Sequence, residues 1–262
     1  MHPVFLKIGS FELATYGVMT ALGYAAATLY LLPRLKKINL DKDTFWNLLF
    51  IAFVGAIVGA KILFIIVSWQ ELGMTFAQKI ITILKDFRYG FVFFGGMITA
   101  VVALVWYMKR KKLPILKTAD LLIIALPLGH ALGRIGCFCA GCCYGKPTSL
   151  PWGVTFTNPH ALVPPSLLGV PLHPTQLYEC LGNLLLFASL HFYYQRQHKE
   201  GSVLVIYIFG YSLMRFIIEF FRGDFRGDFF LGLSPSQCIS LGAAGIAFTL
   251  WFKFLRTKKH HA

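Results

Sequence analysis

The sequence predicts an all-α integral membrane protein that crosses the bilayer seven times and carries a cap on its outer side. Of 262 residues, 56% are hydrophobic and only 14% are charged, whereas soluble domains carry about 25% charged residues. Apolar runs long enough to span a bilayer recur along the chain. The alternation of apolar and polar residues that is typical of outer-membrane barrels is absent. We therefore treat residues 1–262 as a single membrane domain.

Seven apolar runs are predicted to be membrane helices by their length and composition. They lie at about residues 14–33, 45–68, 91–108, 118–138, 174–194, 202–222 and 234–254. The first run is too long for a cleaved signal peptide, so we expect it to be retained as the first helix. Segment 73–88 has apolar positions at helical spacing beside basic residues. This pattern favours a helix lying in the outer interface, with an ordinary ordered loop as the alternative.

Basic residues divide the predicted loops into a richer and a poorer set. The richer set comprises Arg34, Lys36, Lys37, Lys42, Lys109, Arg110, Lys111, Lys112, Lys117, Arg196, Lys199, Lys253, Arg256, Lys258 and Lys259, and the poorer set comprises Lys7, Lys79, Lys85, Arg88, Lys146 and Arg226. Cytoplasmic loops carry the excess of Lys and Arg, so the N-terminus is expected outside, the C-terminus in the cytoplasm and the cap, 139–172, outside. The net charge of +14 then reflects membrane topology and not binding to nucleic acid.

Ionisable side chains inside the predicted spans indicate a functional site, because each costs about 2.5–3.5 kcal/mol to insert. One polar stripe on the sixth span comprises Tyr211, Arg215, Glu219 and Arg222. Arg134 and Lys61 add cations that the few acids within the spans would not neutralise. Guanidinium groups match the geometry of phosphate. We therefore expect Arg134 and Arg215 to bind a lipid phosphate, the alternative being a purely structural Arg215–Glu219 pair.

Two further ionisable residues lie in the fourth span. Asp120 is at its cytoplasmic end, where we interpret it as a partner of a helix terminus or of another helix. His130 precedes Arg134 by four residues and so shares its helix face. Its imidazole is interpreted either as a structural group or as a catalytic one.

A cysteine cluster follows Arg134 in the stretch GRIGCFCAGCCYG, residues 133–145. It comprises Cys137, Cys139, Cys142 and Cys143. Four interpretations are open: a metal site, a disulfide within the cluster or to Cys180, a nucleophile activated by Arg134, and thiols that pack a cavity wall. All four lie in one short segment, which leaves a metal few independent ligands. We therefore expect thiols that line the reaction cavity and no bound metal.

The chain resembles the prolipoprotein diacylglyceryl transferase family over nearly its whole length. The resemblance is carried by TYG at 15–17, FFGGM at 93–97, GRIG at 133–136, HPTQLYE at 173–179 and YSLMRFIIEFFR at 211–222. The order and the spacing of several of these motifs agree with the family. Each motif alone is short, and the set together is specific.

The resemblance implies a bacterial inner-membrane enzyme without a cofactor. Such enzymes transfer the diacylglyceryl group of phosphatidylglycerol to the thiol of the lipobox cysteine in a prolipoprotein signal peptide. By resemblance, Arg134 and Arg215 bind the headgroup, Tyr16 and Tyr211 orient it, and Cys137 lies at the reaction centre. The substrate-binding residues that it implies are Arg134, Gly145, Glu219, Lys61, Gly95, Gly96, His173 and Gln176. Within this set, Glu219 holds Arg215 in place and Gly145 allows a close approach to the glycerol.

Departures from the family pattern concentrate near the expected reaction centre. Phe94 replaces the histidine of the family's HGG motif, Cys137 and Ala140 replace asparagines, and Cys142 replaces a glutamate. A phenyl ring cannot move a proton, so either another base such as His130 or His173 serves, or the chemistry differs. The alternative function is a lipid-binding membrane protein that uses its cysteines for redox or metal handling. A third possibility is transfer of a lipid group to an acceptor other than a lipoprotein.

Overall fold

The computed structural model describes residues 2–9, 11–85, 90–224 and 232–256. Arg88, Arg226, Lys258 and Lys259, counted above among the loop charges, lie outside these residues. The described chain forms two compact units. The first combines the residues up to Arg34 with those from Ala119 onward, and the second is Leu35–Thr118.

Helices make up most of both units. In chain order, the elements are β1 (Val4–Ile8), β2 (Phe11–Ala14), α1 (Thr15–Leu31), α2 (Lys42–Val67), α3 (Phe76–Lys85), α4 (Phe93–Arg110), α5 (Ile115–Ala140), β3 (Val154–Thr155), β4 (Pro171–Leu172), α6 (Thr175–Tyr194), α7 (Ser202–Glu219) and α8 (Pro235–Arg256). A 3₁₀ segment, Leu32–Ile38, continues α1. The prediction of a chain built from helices is confirmed in the main. It missed the two short antiparallel pairs, β1 with β2 and β3 with β4.

Each of the seven predicted spans falls on one long helix, with ends that differ by a few residues. Within the described residues, five helical segments are both long and apolar enough to cross a bilayer: Thr15–Ile38, Lys42–Val67, Phe93–Arg110, Ile115–Ala140 and Ser202–Glu219. The described residues contain eight α-helices because α3 forms inside the segment 73–88. Helical structure is thus confirmed for that segment, whereas its position in the interface stays a prediction.

The second unit is built on a close contact between α2 and α4. Asp41 caps α2, since its Oδ1 accepts a hydrogen bond of 2.8 Å from the Thr44 backbone N–H. The two helices meet where small residues face each other. A Cβ added at Gly96 would lie 2.5 Å from the carbonyl oxygen of Ala56 on α2, and one added at Gly95 would meet the carbonyl of Gly59. The twin glycine therefore lets two helix backbones touch.

In the first unit, an apolar core and one buried carboxylate hold α5, α6 and α7 together. Ile124, Leu190 and Val203 form a fully buried cluster. Beside it, the Asp120 carboxylate accepts hydrogen bonds from the backbone N–H groups of Gly201, at 2.6 Å, and Leu204, at 2.8 Å. These are orphan donors of the first turn of α7. The interpretation of Asp120 as an inter-helix partner is confirmed.

The segment between α5 and α6 folds into a small structure of its own. Strands β3 and β4 pair antiparallel. Phe156, Val163 and Leu172 form a buried apolar cluster there, packed against partly buried neighbours from the same segment. The predicted cap, 139–172, thus has an ordered core, and its location outside the membrane stays a prediction.

Candidate active site

A single buried carboxylate, that of Glu179 on α6, gathers three arginines from different parts of the first unit. Its side chain is fully buried. Its Oε2 lies 2.5 Å from Nε of Arg134 on α5. Its Oε1 lies 3.0 Å from Nη1 of Arg222 and 3.4 Å from Nη1 of Arg215 on α7. Each contact joins elements far apart in sequence, so Glu179 ties α5, α6 and the end of α7 to one point.

Two further acids complete this buried network on its far side. Nη2 of Arg215 lies 2.6 Å from Oε2 of Glu219, one helical turn later. Ser234 donates a hydrogen bond of 2.8 Å to the other oxygen of Glu219. Arg222 forms a bidentate ion pair with Asp224, in which Nε and Nη2 each donate a hydrogen bond of 2.8 Å to one carboxylate oxygen. The expected contact of Glu219 with Arg215 is present, and the role of Glu219 in binding substrate stays a prediction.

The network balances its charges internally. Three guanidinium groups, those of Arg134, Arg215 and Arg222, face the carboxylates of Glu179, Glu219 and Asp224. The expectation that Arg134 and Arg215 are uncompensated cations is therefore wrong in the described chain. It failed because Glu179 was not recognised as their common partner. Because the three acids offset the three guanidinium charges, recognition of an anion by this network would depend on directed N–H donors and not on a surplus of positive charge.

Aromatic and imidazole groups surround Arg134. Its Nε donates a hydrogen bond of 3.2 Å to Nε2 of His130. That nitrogen is therefore the unprotonated one, and the imidazole is neutral. The ring of Tyr211 lies 5.5 Å from the ring of His130, between centroids. Two residues further along α5, Tyr16 packs beside Gly136, where an added Cβ would lie 3.1 Å from the Tyr16 Cα. The structure thus brings Tyr16, Tyr211 and Arg134 into one region.

The cysteine segment turns back on itself after α5. Gly141 and Cys143 both adopt the left-handed conformation, with φ of 77° and 61°. The backbone N–H of Cys142 donates to the carbonyl of Cys137 over 3.2 Å. As a result, the sulfur atoms of Cys137, Cys142 and Cys143 all lie within 4.8 Å of one another. The expectation that a metal would find too few ligands here is wrong, because a tight turn converts neighbours in sequence into a convergent group. The six cysteines all lie within the described residues, and none of them forms a disulfide there.

The pKa values of the Cys143 and Cys142 thiols are shifted by their neighbours. Hydrogen bonds from the thiols of Cys137 and Cys142, and the nearby guanidinium of Arg222, lower the pKa of the Cys143 thiol below its ordinary value. The Cys142 thiol donates to its neighbours, which raises its pKa. Because Arg222 also contacts Glu179, the cysteine group borders the arginine network.

The first residues of α6 hold the cysteine turn in place. Gln176 donates from Nε2 to the carbonyl of Cys142, and Thr175 donates from its hydroxyl to the carbonyl of Cys143, both over 2.7 Å. Gln176 and Thr175 are fully buried. The contact of Gln176 seen here is therefore with the protein's own backbone, and its predicted role in binding substrate stays a prediction.

Gly145 lies where three backbone segments meet. Its N–H donates to the carbonyl of His173 over 3.0 Å. A Cβ added at Gly145 would lie 2.5 Å from His173 and 2.8 Å from the carbonyl of Phe221. The close approach that this glycine permits is thus one between protein segments. Nδ1 of His173 lies 3.2 Å from the hydroxyl of Tyr178, so that ring nitrogen already has a partner.

The remaining predicted residues belong to the second unit. Lys61 is buried on α2, with its ammonium 5.3 Å from the ring centroids of Phe64 and Phe91. Gly95 and Gly96 are accounted for by the contact between α2 and α4. Phe94 is partly exposed and packs edge-on against Phe93. Roles in substrate binding for Lys61, Gly95 and Gly96 stay predictions.

Glu179 and Arg222 are the site residues to which the sequence patterns assigned no catalytic or binding role. Glu179 was visible as an acid inside the HPTQLYE motif, in a predicted span. That position was the available indication, because an acid at membrane depth needs a cationic partner. Arg222 was visible as the last member of the polar stripe, yet its two-pronged partner, Asp224, lies beyond the helix.

Comparison with known proteins relates nearly the whole chain to one family. A family described as prolipoprotein diacylglyceryl transferase matches residues 3–253. A phosphatidylglycerol–prolipoprotein diacylglyceryl transferase of Clostridium tetani is 41% identical over 92% of this chain and 93% of its own length. A second such transferase, of Clostridium perfringens, is 35% identical over 92% and 91% of the two chains. A third such transferase, of Pseudoalteromonas atlantica, is 33% identical over 96% of this chain and 89% of its own length.

Proposed function

This chain belongs to the prolipoprotein diacylglyceryl transferase family, and from that premise we propose that it transfers the diacylglyceryl group of phosphatidylglycerol to the lipobox cysteine of a prolipoprotein. Relatives that carry this name cover more than nine-tenths of the chain. The observation that carries the proposal is the buried network of three arginines around Glu179. A lipid-binding protein without transferase activity is not favoured, because relatives that match more than nine-tenths of this chain carry the name of a transferase.

The arginine network is suited to the departing phosphate. In this reaction a thiolate sulfur attacks a glyceryl carbon, the carbon–oxygen bond breaks and glycerol phosphate leaves with the electron pair. Donors that are already oriented stabilise the charge that develops on the leaving oxygen. Each guanidinium has five N–H donors, and Arg134 uses Nε for both Glu179 and His130. We assign its two terminal nitrogens to the lipid phosphate.

Arg215 is assigned the second contact with the headgroup. Glu219 and Ser236 hold its Nη2 at 2.6 and 3.2 Å. A guanidinium fixed in this way loses little side-chain entropy when it binds, which makes a fixed arginine a better phosphate ligand than a mobile lysine. Tyr211 lies one helical turn before Arg215, and Tyr16 packs beside Gly136. We assign these two hydroxyls to orienting the lipid.

The same proposal includes the arrangement in the bacterial inner membrane. We propose seven spans, with α6 and α8 joining the five most apolar segments, an outside N-terminus and a cytoplasmic C-terminus. Helices of 20 and 22 residues reach about 30 Å, the thickness of the hydrocarbon core. Gln176, Glu179 and Asn183 lower the hydropathy of α6, yet all three are buried. Their burial keeps these polar groups away from lipid.

Complementation tests the proposed function directly. A strain depleted of its own transferase receives this chain, and lipidation of a reporter prolipoprotein is scored by its change in mobility and by incorporation of labelled lipid. We expect lipidation with the intact chain and none with a reporter whose lipobox cysteine is serine. Absence of lipidation, with the chain present in the membrane at normal levels, would contradict the proposal.

A further inference from the structure

Three thiols converge at the edge of the arginine network, with a geometry close to that of a metal site. The sulfur atoms of Cys137, Cys142 and Cys143 all lie within 4.8 Å of one another. Zinc–sulfur bonds of about 2.3 Å in a tetrahedral site place sulfurs about 3.8 Å apart. A decrease of about 1 Å in the widest sulfur–sulfur separation would therefore let all three sulfurs bond to one ion.

The backbone that carries these thiols is fixed before any ligand binds. Buried Gln176 and Thr175 hold the carbonyls of Cys142 and Cys143. Cys143 keeps a φ of 61°, which a residue with a side chain adopts only where its surroundings impose it. Cys137 sits on the last turn of α5. Ligands held in advance on ordered backbone are what a metal site requires.

Ligand type and local charge narrow the choice of ion. Thiolates select soft ions such as zinc and copper(I) over magnesium, calcium or manganese. A divalent ion on three thiolates carries a net charge of −1. Arg222 lies beside Cys143, and Arg134 is one helical turn from Cys137, so two guanidinium groups lie close to this negative charge. Three protein ligands on a tetrahedral ion leave its fourth position open, as in catalytic zinc sites.

We propose that Cys137, Cys142 and Cys143 bind one Zn²⁺ ion as thiolates and leave its fourth position for the thiol of the acceptor cysteine. The assignment of the fourth position to the acceptor thiol rests on the proposed function. A thiol that binds a metal loses its proton, which passes to water. The bound thiolate sulfur then forms the bond to the glyceryl carbon as the carbon–oxygen bond to phosphate breaks, and the electron pair leaves with glycerol phosphate. No side-chain base is needed for that sequence of steps.

Metal content tests the site independently of activity. The full-length protein is purified in detergent under reducing conditions without chelators, supplied with Zn²⁺ alone, and analysed for bound metal. We expect about one zinc per chain, lost in both Cys142→Ser and Cys143→Ser. Cys139→Ser, in the same segment, and Cys238→Ser, on α8, are the matched controls and should keep it. Zinc well below one per chain with all thiols reduced, or zinc retained in both ligand variants, overturns the site.

Cobalt substitution tests the open position and detects a variant that has merely unfolded. Co²⁺ in the wild-type site should give thiolate charge-transfer absorption and the visible bands of tetrahedral cobalt. A lipobox peptide with its cysteine should shift these bands, whereas the same peptide with serine should not. An identical response to both peptides overturns the assignment of the fourth position.

Metal-free protein that still lipidates the reporter overturns the catalytic role of the zinc ion and leaves the transferase function standing. Zinc-loaded protein that binds the thiol but lipidates nothing contradicts the function and not the site.

Discussion

Replacing Glu179 with glutamine removes one charge from the centre of the buried network while preserving the shape of the side chain. The three arginines then face two carboxylates in place of three. Arg134 loses its partner at 2.5 Å, and the two contacts at 3.0 and 3.4 Å become neutral ones. Removal of one partner from a buried ion pair costs about 3–5 kcal/mol of folding free energy. The amide oxygen still accepts one hydrogen bond, so we expect the lower end, about 3 kcal/mol.

The assay combines unfolding temperature with turnover. For a chain of this size, a loss of about 3 kcal/mol lowers the unfolding temperature by about 6–12 °C. Because displacement of a positioning group by about 1 Å costs about 10²-fold in rate, we expect reporter lipidation to fall by a similar factor. Glu12→Gln is the matched control, since that glutamate forms an exposed pair with Lys7, and it should leave both quantities unchanged.

A Glu179→Gln protein with the unfolding temperature and the lipidation rate of the wild type would refute this prediction. It would show that the shared carboxylate neither stabilises the fold nor positions the arginines. Glu179→Asp separates charge from position. It restores the charge but shortens the reach, so we expect stability to recover more than activity.

Three further predictions follow from the same geometry. Arg215→Lys and Arg134→Ala each remove directed donors from the departing phosphate. Each should slow transfer by about 10²–10³-fold, which corresponds to about 2–4 kcal/mol of activation free energy. Unchanged rates and unchanged lipid affinity in both variants would contradict the phosphate assignment. Gly145→Ala places a methyl group 2.5 Å from His173 and should destabilise the protein by about 1–3 kcal/mol, measured as unfolding temperature. Gly242→Ala on α8 meets no atom within 4 Å and is its control; equal melting of the two contradicts the packing argument. A cysteine placed at Ser149, in a background without other reactive thiols, should react with an impermeant maleimide from outside intact cells. Reaction from the cytoplasmic side alone would reverse the proposed orientation.

Sequence patterns predicted the long helices well because each contains an apolar run that is set by bilayer thickness, a property of local composition. The predicted 118–138, for example, falls within Ile115–Ala140. The hairpin of β1 and β2 escaped prediction because strands of five and four residues are too short for a clear alternation. Arg134, Tyr16 and Tyr211 were identified through motifs, and the structure brings them into one region.

The electrostatics of the site could not be predicted from the sequence. Arg222 and Arg215 lie 43 and 36 residues from Glu179 along the chain, and no local pattern reveals that one acid serves three arginines. Likewise, the spacing of the cysteines indicated a segment too short for a shared metal. The convergence depends on left-handed backbone at Gly141 and Cys143, and a side-chain-bearing residue seldom adopts that conformation without tertiary constraint.

The hydrogen bonds of Asp120 with the start of α7 also set the depth of the arginines. Helices α5 and α7 run in the same direction from this junction. At 1.5 Å of rise per residue, Arg134 lies about 21 Å from Asp120 along α5, and Arg215 about 17 Å from Leu204 along α7. The Asp120 carboxylate thus couples the axial positions of α5 and α7, and with them the positions of the two guanidinium groups. Loss of this junction would let the two helices shift along each other, and the arginines to which we assign the lipid phosphate would no longer be held in register.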